Sequence, residues 1–298
     1  FIVGLFTVIN QQFQVPLKSA LLPHDGNMTN ALVTLLNFSW FLAYPFSEGF
    51  ATRWVDRLGY RKTSVYSLLI FIAGLGFYEA AVLLHIYAPS YITIMGNPIF
   101  TGFFVFLSGS FVIGMAVTIL QVVTGLYLDV NPVGKTNPLQ RQMIGGTTNS
   151  IGMAIGPLVV SYVIFYGIPL HNVQSREFIW PVICLIAIIC IFTLITARIK
   201  MPAINVAIRP TTRSFSKSIW SFPQLRLGVI GIFCYVGVEV AVGANINLYA
   251  VSLNTTFAAA ATKMAALYWT GILIGRFAGS LYTCLLYTSD AADDTPCV

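Results

Sequence analysis

The sequence predicts an all-α, polytopic membrane protein, and three observations carry that prediction. Of 298 residues, 57% are hydrophobic and only 9% charged, where a soluble domain carries about 25% charged residues. Apolar stretches recur at close to the length of about 20 residues that a helix needs to cross a bilayer. Basic residues then alternate between connections, as they do when a chain crosses back and forth.

Eight spans are expected in order: 1–22, 31–51, 63–88, 97–128, 141–168, 178–198, 223–252 and 263–283. With the N-terminus on the cytoplasmic side, the inner segments hold Arg53, Arg57, Arg61, Lys62, Lys135, Arg141, Arg198, Lys200, Arg209, Arg213, Lys217 and Arg226, twelve of the sixteen basic residues. The opposite side holds little beyond Lys18, Arg176 and Lys263. This bias accounts for the net charge of +6 and the pI near 9.1 without a nucleic-acid partner. The domain reading is a six-helix half at 1–198, a basic cytoplasmic linker at 199–222 and two helices of a second half at 223–283.

Residues 284–298, CLLYTSDAADDTPCV, break the apolar pattern and carry three of the ten acidic residues. They read as a translated sequencing adapter and are set aside from functional reasoning. The opening FIVGLFTVIN starts inside an apolar helix without Met, so a chain truncated at both ends is expected. Cys184, Cys190 and Cys234 fall within apolar segments, where buried free thiols are expected rather than disulfides. No HExxH, nucleophile elbow or metal cluster is present, and His24, His85 and His171 are scattered near loops. No enzyme activity, cofactor or metal is therefore expected.

The polar residues inside the spans carry the functional reading. In the first span Asn10, Gln14 and Lys18 stack at four-residue spacing with Gln11 on the flank, so this stripe faces protein or water rather than lipid. The second span lines up Asn37, Phe41, Tyr44, Pro45 and Glu48. Aromatic rings beside amides suit sugars, which offer an apolar C–H face and hydroxyls that both donate and accept. The fourth span places Gly114, Thr118, Gln121 and Gly125 on one face, with Thr124 beside it. The fifth, RQMIGGTTNSIGMAIGP, sets Gln142 and Asn149 among Gly145, Gly146, Gly152 and Gly156. Small residues there either seat a neighbouring helix or leave room for a ligand. In the seventh, FCYVGVEVAVGANINLY, Glu239 has Tyr235 and Gly243 at four-residue spacing and Asn247 near the same face. A carboxylate within a span marks a functional site by default. Glu239, more than Glu79 near the outer end of the third span, is expected to bind a solute hydroxyl or carry a proton. The substrate-contact candidates are Asn10, Gln14, Gln121, Gln142, Asn149, Tyr235, Glu239 and Asn247.

The loop TRWVDRLGYRKT, Thr52–Thr63, resembles the D-R-x-G-x-[RK]-[RK] signature of the major facilitator superfamily through Asp56, Arg57, Gly59, Arg61 and Lys62, with Thr52 where glycine is common. Several phrases together resemble the fucose/glucose–galactose permease family of that superfamily. They are the Gln121 region, RQMIGGTTNSIG with Arg141, Asn149, Ser150 and Gly152, FCYVGVEV with Tyr235, Gly237 and Glu239, and YWTGILIGRFAG with Gly275, Arg276 and Gly279. The resemblance runs from residue 1 to about 283. It implies twelve helices in two halves, a sugar site at the midplane between them, alternating access and proton symport. It further implies that the loop residues 56–62 act in the conformational switch. The chain departs from the fucose branch in lacking a first-span Asp and a fourth-span Glu, with Asn10, Gln11, Gln14 and Gln121 there instead. A facilitated-diffusion permease for another small polar solute, or a transporter-like sensor, stays open as an alternative.

Overall fold

The computed structural model describes residues 1–22, 27–94, 97–131, 138–201, 219–253 and 255–290. Lys135, Arg209, Arg213, Lys217 and His24 lie outside the described residues, as do 202–218 of the linker and 291–298 of the tail. The described chain is helical apart from one hairpin: α1 (Ile2–Gln12), α2 (Gln14–Leu21), α3 (Asn27–Tyr87), β1 (Tyr91–Ile94), β2 (Asn97–Phe100), α4 (Thr101–Val130), α5 (Pro138–Leu158), α6 (Ile179–Arg198), α7 (Pro223–Leu253) and α8 (Thr255–Asp290). Among the described residues, five stretches are long and apolar enough to cross a membrane: Met28–Tyr87, Thr101–Val130, Gln140–Ile164, Ser175–Arg198 and Pro223–Leu253. The chain is an all-α polytopic membrane protein.

The difference from eight spans has physical causes. The expected spans 31–51 and 63–88 merge into α3, whose 61 residues would reach about 90 Å if straight, against a hydrocarbon core of about 30 Å. The helix breaks at Gly59, with φ 79° and ψ 168°, a backbone region that only glycine enters cheaply. Thr63 Oγ1 donates to the Gly59 carbonyl at 2.9 Å and Ser64 Oγ to that of Tyr60 at 2.9 Å, restarting the chain as a second limb. Both limbs pack against α4. Ser39 Oγ donates to the Leu107 carbonyl at 2.8 Å from the first limb, and Ser67 Oγ to that of Ala116 at 2.6 Å from the second.

The first expected span is cut at Phe13, between α1 and α2, so neither piece alone reaches membrane length. The Phe13 ring is buried against Phe165 and Phe178, and Tyr78 stacks on Phe106 at 3.8 Å. The expected span 97–128 starts later, because Tyr91–Phe100 forms a two-stranded antiparallel hairpin first. Helix α5 gives way after Pro157 to a π-helical turn, Val159–Ile164. Helix α8 begins before the expected 263 and continues through 290, so its backbone carries the first part of the segment read as an adapter. Of the thiols expected to be buried, Cys184 and Cys234 are exposed and Cys190 is intermediate. On a helix whose outer face is apolar, a thiol fits a lipid-facing position as readily as a core one.

Close helix approach decides what sits beside the site. A Cβ added at Gly152 would come within 2.5 Å of the Phe1 carbonyl and 2.9 Å of the Leu5 amide, so α5 and α1 touch backbone to backbone there. In α5, then, the glycine stripe splits: Gly152 and Gly156 seat α1, Gly145 lies against the Leu128 side chain of α4, and Gly146 borders open space.

Candidate functional site

Glu239 does not stand alone in α7. It is buried, and both carboxylate oxygens accept from Nη2 of Arg276 on α8, at 2.7 and 3.0 Å. The same Nη2 donates to the Tyr235 hydroxyl at 2.9 Å, while Nη1 donates to Ser150 Oγ on α5 at 3.0 Å. The Tyr268 hydroxyl donates to the Glu239 carbonyl at 3.1 Å, pinning α8 to α7. The planar guanidinium ties α8 to both α5 and α7 because its donors diverge in one plane. The sequence singled out Glu239 and Tyr235 for a solute, but the structure brings them to one arginine. The signal that points to this pairing is present in the chain: Arg276 is a cation in the interior of the last span, whereas Lys263 sits at its start, and a charge inside such a segment requires a partner.

A second cluster lies along α1 and α2. Asn10 is buried and well bonded. Its Oδ1 accepts from the Tyr78 hydroxyl at 2.7 Å and from Ser110 Oγ at 3.2 Å, and its Nδ2 donates to Asn37 Oδ1 at 3.2 Å. These bonds tie α1 to both limbs of α3 and to α4, so Asn10 joins helices and lines none of the described cavities. Its neighbours behave differently. Gln11 and Gln14 are each 1% exposed, yet both polar atoms of each side chain lack a hydrogen-bond partner. Asn247 Nδ2 on α7 donates to Gln12 Oε1, which leaves Gln12 Nε2 and Asn247 Oδ1 unpartnered and buried. Nearby, Trp269 of α8 is fully buried against Val8 and Met153, its Nε1 likewise unpartnered. Leaving a buried polar group unsatisfied costs about 1–3 kcal/mol, so such a concentration of amides marks a place where hydroxyls or water belong. Gln12 and Trp269 are not singled out by the sequence, because neither spacing nor residue type sets a buried amide apart from a helix-joining one.

Gln121, Gln142 and Asn149 share a wall. With Tyr44, Glu48, Thr118 and Thr124 they line a cavity of about 750 Å³ that the first residues of α1 close on one side. The Tyr44 hydroxyl donates to Gln121 Oε1 at 3.4 Å. Gln142 Nε2 donates to the Gly125 carbonyl at 2.9 Å and to Asp129 Oδ1 at 2.8 Å, and Asn149 Nδ2 contacts Met153 Sδ at 3.5 Å. The volume falls within the roughly 300–1,000 Å³ of small-molecule pockets. Asn10 and Gln14, expected as solute contacts with Gln121 and Asn149, are not on its lining, since α1 and α2 bury them in the core. A smaller cavity of about 200 Å³ opens beside α2, α7 and α8, lined by Val15, His171, Asn247 and Lys263 among others. The chain therefore passes from one cavity at Ile2 and Val3 to another at Val15, and the amides of Gln11, Gln12 and Gln14 lie between.

The loop carrying the superfamily-like signature is separate from these clusters. Asp56, Arg57, Arg61 and Lys62 are exposed around the Gly59 break, and Val55 and Tyr60 anchor it by packing with Ala51, Ile119 and Val123.

Comparison with known proteins points in one direction. The chain is 28% identical over 273 residues to a glucose/galactose transporter of Brucella abortus biovar 1 (strain 9-941), a match that covers 89% of this chain and 62% of that protein. It is 25% identical over 292 residues to a Helicobacter pylori (strain J99) protein provisionally named as the same transporter, covering 94% of this chain and 65% of the relative. The chain thus spans less than two thirds of the length of these curated relatives. No family model matches it, and no solved structure matches it significantly. The resemblance read from the sequence motifs holds across about nine tenths of the chain.

Proposed function

We propose that this chain forms part of a sugar permease that moves a hexose-like solute across a bacterial cytoplasmic membrane by alternating access, with a proton as the coupled ion. Its partners are the sugar, the proton and the lipid bilayer, with no nucleic acid and no cofactor. Residues 1–198 form the first half and 223–283 the start of the second. The 52–62 loop and the 199–222 linker face the cytoplasm, where the basic residues concentrate.

The observation that carries the reading is the run of buried amides with unpartnered atoms at Gln11, Gln12, Gln14 and Asn247, between one cavity at the start of α1 and another beside α2 and α7. An amide offers a donor pair and an acceptor, and a sugar hydroxyl offers one donor and two acceptor sites. A polyhydroxylated solute is the class that satisfies such a layer. Relatives named for glucose and galactose transport support the same class. In this reading the sugar enters past Asn247 on the outer side and leaves past Tyr44, Gln121 and Asn149 on the cytoplasmic side.

The coupling step is assigned to Glu239. Arg276 bonds to Ser150 of the first half and to Glu239 and Tyr235 of the second, so rocking the halves must remake these bonds. A proton on Glu239 removes the charge that holds Arg276, and the pair is then free to separate.

The test uses the whole protein in proteoliposomes. Glucose or galactose should accumulate under an inward proton gradient. Asn247→Ala should weaken sugar affinity by about tenfold, the loss of roughly one hydrogen bond that leaves a partner unpaired. Glu239→Gln should keep exchange of sugar while losing uphill accumulation. Absence of binding across a hexose panel sinks the sugar reading. Accumulation that persists in Glu239→Gln sinks the coupling role of Glu239.

A further inference from the structure

The large cavity contains a carboxylate that the coupling step leaves unused. Glu48 lies on the first limb of α3, one helical turn beyond Tyr44, and lines the cavity of about 750 Å³ together with Gln121 and Asn149. Every other described side chain on that lining is apolar, an amide, a hydroxyl or a glycine, so Glu48 is the one acidic or basic side chain among them. Its surroundings differ from those of the other charges nearby. Arg141 is turned away, with Nε donating to the Leu128 carbonyl and Nη2 to that of Asp129, and Asp129 itself is bonded by Gln142. Among the described residues, no lysine or arginine pairs with the Glu48 carboxylate, whereas Glu239 is held by Arg276.

We infer that Glu48 is a specificity-determining residue of the solute path, a charge filter that admits neutral and cationic sugars and rejects anionic ones. The inference rests on the permease reading. Neutral hydroxylated solutes lose nothing by passing a carboxylate, because it accepts hydrogen bonds from two hydroxyls at once. A uronate or sugar phosphate brings a second negative charge close to the Glu48 carboxylate, in a cavity lined by apolar, amide and hydroxyl side chains, where like charges a few ångströms apart repel. Among the described residues, the lining has no cationic side chain to offset that charge. An amino sugar gains instead, since its ammonium pairs with the carboxylate. This is discrimination by a repulsive element rather than by added contacts.

The experiment measures equilibrium binding of glucose, glucosamine and glucuronate to the whole protein, as wild type, Glu48→Gln and Glu48→Lys. In the wild type, glucuronate should bind at least about tenfold more weakly than glucose. Glu48→Gln, which keeps size and hydrogen bonding, should close that gap to within about threefold and remove any advantage of glucosamine. Glu48→Lys should invert the order of glucosamine and glucuronate. If glucose binds and the glucose-to-glucuronate ratio is the same in all three proteins, Glu48 is no filter and the inference falls alone. If the wild type binds no hexose, the permease reading falls and takes this inference with it.

Discussion

The α7–α8 pair and the wall made by α3, α4 and α5 each present a carboxylate, and the two stand in opposite surroundings. Glu239 is buried, shares an arginine with Tyr235 and Ser150, and is neutralised within its own cluster. Glu48 faces a cavity with no cation paired to it among the described residues. The helices around them differ too. Of the most apolar window in α4, 56% is buried, but only 17% of that in α7. What α7 does bury is a single stripe of Glu239, Gly243, Ala244, Asn247 and Ala250. The contrast teaches that a carboxylate in an apolar helix acquires its role from what it meets. Glu239 meets a charge and becomes a bond between helices that can be broken. Glu48 meets open space and becomes available to a solute.

Four substitutions sharpen or break this contrast, and the largest effect belongs to the paired carboxylate. Arg276→Ala leaves Glu239 buried without its partner, which costs about 3–5 kcal/mol when a pair is deeply buried. Because the arginine side chain is 31% exposed, the lower end is expected, read as a fall in thermal stability in detergent. Adding Glu239→Gln to that variant should restore much of the loss. Equal stability of Arg276→Ala and wild type would show that the two groups are not coupled.

Next comes the break in α3. Gly59→Ala forces a side chain into a backbone region that is essentially reserved for glycine, costing about 1–3 kcal/mol. The effect should appear in stability and leave equilibrium sugar binding near wild type, since no residue of the 52–62 loop lines either cavity. An unchanged melting temperature would mean that the turn relaxes freely.

On the cavity side the effects should move from stability to binding. Asn149→Ala is expected to weaken hexose binding by about fivefold, or about 1 kcal/mol, with a smaller change in melting temperature than Arg276→Ala causes. If stability drops and affinity does not, Asn149 belongs with the packing residues of α5. The smallest effect is assigned to Tyr44→Phe. Its hydrogen bond to Gln121 is long, at 3.4 Å, so less than about 0.5 kcal/mol should be lost in affinity. A larger loss would place the tyrosine hydroxyl on the solute instead.

Much of the chain is legible in its residues alone, and the reasons are physical. A bilayer supplies no hydrogen bonds, so spans must be long apolar helices, and these can be counted from composition and run length. Gly59 in a basic loop between two such runs already reads as a tight turn, since no other residue enters that conformation cheaply. That Asn10, Gln11 and Gln14 face protein rather than lipid also follows from residue type alone, and all three are buried.

Partner choice is decided elsewhere. Helical spacing tells which residues share a face, but not which helix that face will meet. Asn10 and Gln14 share a stripe at four-residue spacing, yet Asn10 is bonded by Tyr78, Ser110 and Asn37 while Gln14 has no partner. The glycines of α5 look alike in sequence, and only the approach of α1 separates Gly152 from Gly146. Arg276 and Glu239 are 37 residues apart, and Ser150 lies 126 residues from Arg276. Local periodicity holds no information across such distances, because it reports how one helix buries its own surface. The tertiary packing brings those three residues together, and by the same packing it leaves Glu48 facing the cavity.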